Sequence, residues 1–169
     1  MGSPIDHTAN HSYPAAAVHA AFVDPQYWHT RLAEVGGPGA AVDRIEQGDG
    51  TIDLDLQQAI PAEHLPSAVT SIRPGDLVIH RHESWGPLSG DRAEGRFSAG
   101  VDGMPGKVEG TLTIAGDGDA STVIVEGSVE VKIPFLGSKI EAMIVDQLVA
   151  LFEAERTFTE RWLKGDFRA

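Results

Sequence analysis

Apolar and polar residues alternate through the stretch 123–133, with Val123, Val125, Val129, Val131 and Ile133 set against Glu126, Ser128, Glu130 and Lys132. A period of two with one dry face predicts a β-strand. Ile52, Leu54 and Leu56 alternate in the same way with Asp53 and Asp55. After Pro134-Phe135-Leu136-Gly137 the period changes. At about 100° per residue, Ile140, Ile144, Leu148, Leu151, Phe158 and Trp162 share one arc with Phe152 at its edge. Lys139, Asp146, Glu153, Arg156, Glu160 and Lys164 lie opposite, which predicts an amphipathic helix over 138–164. Such a helix is roughly 40 Å long, and Ser138 with Glu141 is expected to start it as a capping box.

The chain before that helix reads as a strand over 5–12, two short helices, and then more strands. Pro14 opens the first helix, through Ala15, Val18 and Phe22. Asp24-Pro25 opens the second, which carries Tyr27, Trp28, Leu32 and Val35 and stops at Gly36-Gly37. Strands follow near 42–47, 51–58, 77–85, 92–101, 107–114 and 121–133. Turn residues separate them at 48–50, 73–76, 87–90, 102–106 and 116–119, and the prolines of 61–66 break the chain. The fold class expected is α+β: a curved antiparallel sheet of about seven strands wrapped on a long C-terminal helix, with two short helices after strand one. A single domain over 1–169 is expected, with residues 1–4 a tail, in part a cloning remnant, of no structural weight.

Two polar residues interrupt the apolar arc of the long helix. Glu155 projects from its middle and Gln147 lies near Ile140. A carboxylate against a dry sheet carries a desolvation penalty unless it is paired, protonated or wetted. Glu155 therefore reaches water, pairs with a core arginine, or marks the polar end of a hydrated cavity. The strand 77–85 offers a partner, because Leu77, Ile79 and Trp85 facing inward bring Arg81 and Glu83 inward too. Arg81 then completes an internal ion pair or receives a ligand carboxylate or hydroxyl. A bulge would turn His80 and His82 inward instead. Those two histidines have a zinc-compatible spacing but no third ligand nearby in sequence, so no metal is expected. Asp117-Gly118-Asp119 lacks the remaining ligands of a calcium loop and reads as a hairpin.

Composition narrows the function classes. The 25 acidic and 13 basic side chains give a net charge of −12, which argues against nucleic acid and anionic lipid as partners. The chain has no cysteine, so thiolate chemistry and cysteine-based zinc sites are excluded. No apolar run is long enough to span a membrane, and neither a secretory leader nor a myristoylation pattern is present, so a cytoplasmic location is expected. Nucleotide-binding glycine motifs, the Gly-x-Ser-x-Gly elbow and His-Glu-x-x-His are also missing, and no cofactor is expected.

The order of strand, two short helices, six antiparallel strands and long terminal helix resembles the START-like, or SRPBCC, helix-grip superfamily. Residues 11–18 (HSYPAAAV) and 21–28 (AFVDPQYW) look like the usual opening of such domains, and 133–141 (IPFLGSKIE) looks like one actinobacterial branch of unknown function. The resemblance implies a deep cavity between sheet and helix that takes lipids, sterols, polyketides or similar molecules. Some relatives are cyclases, aromatases or dehydratases, and others are transfer proteins, receptors or chaperone regulators, so fold alone does not decide the activity. The leading expectation is a carrier or sensor of a small hydrophobic molecule. Arg81, Glu83, Gln147 and Glu155 would orient its polar head, Trp85, Phe97, Ile144, Leu148, Leu151 and Phe152 would line the walls, and Phe135 would sit near the mouth. One alternative is a cyclase, aromatase or dehydratase with Glu155 or Glu83 as general base and Arg81 polarising a carbonyl. Another is a protein-interaction module with a small or filled cavity. A homodimer is left open.

Overall fold

Alternating side chains and tight turns make every strand pairing antiparallel, in one seven-stranded sheet of order β1-β7-β6-β5-β4-β3-β2. The structure is a computed structural model and describes residues 2–167 apart from 38, 66, 73, 102 and 104. Its elements run β1 (Ser3–His11), α1 (Ala15–Phe22), α2 (Pro25–Val35), β2 (Ala41–Gln47), β3 (Ile52–Ile60), α3 (Ser67–Ile72), β4 (Leu77–Trp85), β5 (Arg92–Val101), β6 (Gly106–Asp117), β7 (Ala120–Val131) and α4 (Gly137–Lys164). The expected fold class is the observed one. A 3-10 turn over Ala62–His64 lies in the segment read only as a break, and the helix α3 follows it where no element was expected. The turn residue Arg73, the break at Pro66 and the turn positions Asp102 and Met104 lie outside the described residues.

The Asp24 carboxylate accepts a hydrogen bond from the Gln26 amide at 2.9 Å, as its N-cap position predicts. The start of α4 differs from expectation. Helical geometry begins at Gly137 after Leu136, and no side chain caps it. Starting the helix before Ser138 turns Glu141 inward, where it accepts from the Val131 amide at 2.9 Å and the Ser3 hydroxyl at 2.8 Å. Glu141 thus ties β1, β7 and α4 together instead of closing a capping box. Ser3 and Pro4 belong to β1 and are no loose tail.

These bonds have a consequence for acid stability. The Val131 amide, then the Ser3 hydroxyl, outweigh burial and hold the Glu141 carboxyl below its ordinary value near 4.5. A depressed folded pKa contributes stability that is full above the ordinary value and is lost as pH falls through the folded one. Urea midpoints measured from about pH 6 to about pH 3 should therefore fall on the acid side, and Glu141→Gln should flatten that slope. Equal slopes in the two proteins would remove Glu141 from this role.

The core lies between the concave face of the sheet and α4. The helix packs most closely on β1, β7, α1 and α2. Long side chains fill the wider space toward β3, β4 and β5, among them Trp85, Phe97 and Phe152. Gly110 and Gly127 face each other on β6 and β7. A Cβ on Gly110 would stand 2.7 Å from both the Gly127 Cα and a Phe97 ring carbon, so the bare backbone there seats the Phe97 ring. On α4 the buried side comprises Ile140, Ile144, Leu148, Phe152, Glu155 and Phe158, with Thr159 beside them. Phe152 is inside it, and Leu151 and Trp162 are only half-buried.

Candidate functional site

Alternation along β4 buries Leu77, Ile79, Arg81, Glu83 and Trp85 and leaves His80 exposed. Arg81 therefore meets Glu155 from α4. Its guanidinium donates to Glu155 Oε2 at 3.0 Å, to Glu83 Oε1 at 2.8 Å and to Gln58 Oε1 at 3.4 Å. Trp85 Nε1 donates to the other Glu83 oxygen at 2.9 Å. A second cation, Arg31 of α2, places Nη2 at 2.5 Å from Glu155 Oε2. Arg31, Arg81, Glu83 and Glu155 form a buried network with two charges of each sign.

A chain of hydroxyls extends the network, and the donors in it are decided by elimination. The Thr159 hydroxyl donates to the Glu155 carbonyl at 2.8 Å, so the Tyr27 hydroxyl donates to Thr159 Oγ1 at 2.6 Å. Arg31 Nη1 then donates to the Tyr27 oxygen at 3.4 Å. The Arg31 guanidinium also lies 4.4 Å from the Trp28 ring centroid, a cation–π contact inside the core. Burial pushes the Glu155 carboxyl up, but Arg31 and then Arg81 outweigh it and hold the group below the usual carboxylate range. Burial likewise opposes the Arg31 charge, and Glu155 with Tyr27 and Glu83 more than restores it. Burial raises the Tyr27 phenol, which stays protonated.

The network is not saturated. Arg31 Nε, Arg81 Nε and Gln58 Nε2 are buried donors without an acceptor among the described residues. Beside them is an inner cavity of about 50 Å³, walled by Arg31, Arg81, Glu83, Trp85, Phe152 and Glu155. His7 and His11 of β1 reach the same cavity and bond to Glu153 and Glu160 of α4, each at 2.7 Å. A second inner void, about 30 Å³ and apolar, is bordered by Ile79, Val108, Ile144 and Leu148. A groove of about 250 Å³ runs outside Leu148, between α4, β3 and the end of α2, and takes in Gln147 and Leu151.

The expected site residues are therefore distributed over three places. Arg81, Glu83, Trp85, Phe152 and Glu155 meet at the polar cavity, Ile144 and Leu148 at the apolar void, and Gln147, Leu148 and Leu151 at the groove. Phe97 packs edge-on to Phe152, with centroids 6.3 Å apart. Phe135 stands wholly exposed at a left-handed φ of 67° and walls none of the three cavities. The tight corner between β7 and α4 turns it outward. Of the alternatives for Glu155, pairing with a core arginine holds, and the small cavity adjoins the pair. On the outer face, His82 is engaged by Asp55 at 2.7 Å. Among the described residues, no three His, Cys, Asp or Glu side chains gather to hold a metal.

Arg31, Gln58, Tyr27, Thr159, His7 and His11 were absent from the expected site. Four of them carry a signal that the pattern rules could have read. Arg31 is four residues after Tyr27 and three after Trp28, within the apolar side of α2. Gln58 continues the inward alternation Ile52, Leu54, Leu56 of β3. His7 and His11 continue the inward alternation of Ile5 and Ala9 along β1, against the exposed Asp6, Thr8 and Asn10.

Comparison with known proteins agrees with this architecture. The uncharacterized protein Rv0481c of Mycobacterium tuberculosis is 31% identical over 173 aligned residues, covering 98% of this chain and 99% of that protein. A START superfamily protein from Mycobacterium smegmatis superposes with a TM-score of 0.55 at 18% identity, covering 95% of this chain and 99% of the other. The Zhui aromatase/cyclase of Streptomyces sp. R1128 gives a TM-score of 0.57 at 12% identity, covering 100% and 98%. At those identities the likeness establishes the START-like helix-grip fold and leaves activity apart. No helix among the described residues is long and apolar enough to cross a membrane. Across residues 6–163 the chain matches the family described as "Protein of unknown function (DUF2505)", and with its START-like fold it belongs to that family.

Proposed function

We propose that the protein carries or senses a small, uncharged, mostly apolar molecule held between the sheet and α4, with its polar end at Arg81 and Glu155. The observation that carries this reading is the unsaturated network. Two guanidinium Nε donors stay buried without acceptors among the described residues, beside a cavity, although every charge in the network is already balanced. Such donors are costly to leave unmade, and an acceptor oxygen on a neutral ligand satisfies them without upsetting the charge balance.

The inner voids, about 50 and 30 Å³, are far below the roughly 300–1,000 Å³ of typical ligand sites, so binding has to move side chains. The yielding wall in this reading is the side of α4 toward β3 and β4, since the helix is anchored on β1, β7, α1 and α2. Glu155 is held as a carboxylate by two arginines and is a poor proton acceptor, which favours carriage or sensing over turnover. The reading assumes a cytoplasmic protein whose acidic surface repels nucleic acid and anionic lipid.

Native mass spectrometry of freshly purified protein, followed by solvent extraction, tests it. A discrete extra mass that is lost on denaturation is expected, and the extract should contain a neutral apolar compound. Leu148→Trp, which fills the space between void and groove, should abolish that extra mass while the far-ultraviolet spectrum stays folded. An anionic extract, or a ligand retained by the variant, would overturn the assignment.

A further inference from the structure

Outside the inner network, the groove against α4 has a chemistry of its own. Its walls are Val35 and the Gly36-Gly37 corner at the end of α2, the Gln58–Ile60 end of β3, and Gln147, Leu148 and Leu151 of α4. Among the described residues no charged side chain lines it, in a chain whose net charge is −12. Gln58 and Gln147 are its polar side chains. Gly37 has φ of +81°, and a Cβ there would meet the Ala59 carbonyl oxygen at 2.7 Å, so the corner lies against β3 only because it is glycine.

Gln58 decides what the groove recognises. Gln58 lines the groove, and the residue is almost fully buried, at 2% exposure. Arg81 has donors only, so the Gln58 oxygen must face Arg81 Nη1, at 3.4 Å. The Gln58 amide nitrogen is thereby left as a donor, and it has no partner among the described residues. Among the described residues an anion finds no cation in this groove, and a cation finds no carboxylate. A neutral molecule with a carbonyl or ether oxygen satisfies the nitrogen and leaves its apolar body against Val35, Leu148 and Leu151. Ile60, Ile79 and Leu148 border both the groove and the inner apolar void, so a change of rotamer at Leu148 joins the two.

We infer that this groove is the binding site and port of an uncharged apolar ligand bearing an acceptor oxygen, which Gln58 Nε2 recognises. The inference rests on the proposed function and adds an outer site and port, with Gln58 as its recognising residue, to the inner site at Arg81 and Glu155.

The probe is 6-propionyl-2-dimethylaminonaphthalene, a neutral ketone whose emission reports apolar surroundings and hydrogen bonding to its carbonyl. Saturable, blue-shifted binding to the wild type is expected, with the anionic 6-dimethylamino-2-naphthoate at least about ten-fold weaker. Ala150→Trp, at an exposed α4 position on the groove, should weaken ketone binding by about ten-fold or more. Gln58→Leu should weaken it by about ten-fold and move the emission further to the blue. Ala9→Leu, which fills the inner polar cavity from β1, separates this inference from the reading beneath it. Ketone binding unchanged in Ala150→Trp but lost in Ala9→Leu would overturn the groove and leave the inner site standing. Loss in Ala150→Trp supports the groove, and no binding by the wild type overturns both.

Discussion

Replacing Glu155 by leucine is expected to destabilise the protein by about 3–5 kcal/mol, because the substitution strands buried cations. Arg31 and Arg81 are 4% and 6% exposed, and both direct a guanidinium at the same Glu155 oxygen. Without that oxygen Arg31 keeps the Tyr27 hydroxyl and the Tyr27 and Trp28 rings as partners, while Arg81 retains Glu83 and Gln58. The double substitution Arg31→Met/Glu155→Leu removes one charge of each sign and leaves the Arg81–Glu83 pair intact at 2.8 Å. It should recover more than half of the single variant's loss, since burying matched apolar groups in place of an ion pair is often neutral. Urea unfolding at constant m measures both effects. A single-variant loss below about 1 kcal/mol would mean that water solvates the network as it does a surface pair. The wild-type contribution is present above the ordinary carboxyl value near 4.5 and is lost as pH falls through the depressed folded value.

Phe152→Ala is expected to cost about 3–5 kcal/mol as well, by a different mechanism with a different remedy. The Phe152 ring is the plug of the interior: it stands 5.6 Å from the His7 ring and 6.3 Å from Phe97, with the Arg81 guanidinium 5.8 Å from its centroid. Removing it enlarges the inner cavity at its apolar side. A dry, apolar enlargement binds a small aromatic molecule, and binding to the folded state alone raises the melting temperature. Benzene should therefore raise the melting temperature of the variant and leave that of the wild type unchanged. A variant indifferent to benzene, with the full loss of stability, would show that the space left by the ring does not admit an apolar molecule. In that case the wall cannot yield to a ligand in the way the proposed function needs.

The two substitutions separate the polar and apolar ends of one interior. Glu155 acts through charge balance, so its loss is repaired by removing the opposite charge. Phe152 acts through volume, so its loss is repaired by a molecule that restores contacts. The groove at Gln58 borders the apolar end and the network at once, through Leu148 on one side and Arg81 on the other.

Much of this was legible in the chain itself. The period-two stretches and the 3.6-period stretch after Gly137 determine strands, the long helix and their buried faces, because each is a local rule of side-chain direction. The inward position of Arg81 and Glu83 and the central position of Glu155 follow from the same rule. What the tertiary structure decided is everything that depends on distance between elements. Glu141 leaves its expected cap because α4 begins one residue earlier, beside β1 and β7. Phe135 turns outward because a sharp corner, and no hydrophobic preference, sets its direction. Arg31 joins Glu155 only because α2 packs on α4, with the two residues far apart in sequence. The size of the inner cavities is also a tertiary quantity, since a residue pattern states which side chains face one another and not how closely they approach. Periodicity is a property of neighbours in sequence, whereas pairing and volume are properties of neighbours in space.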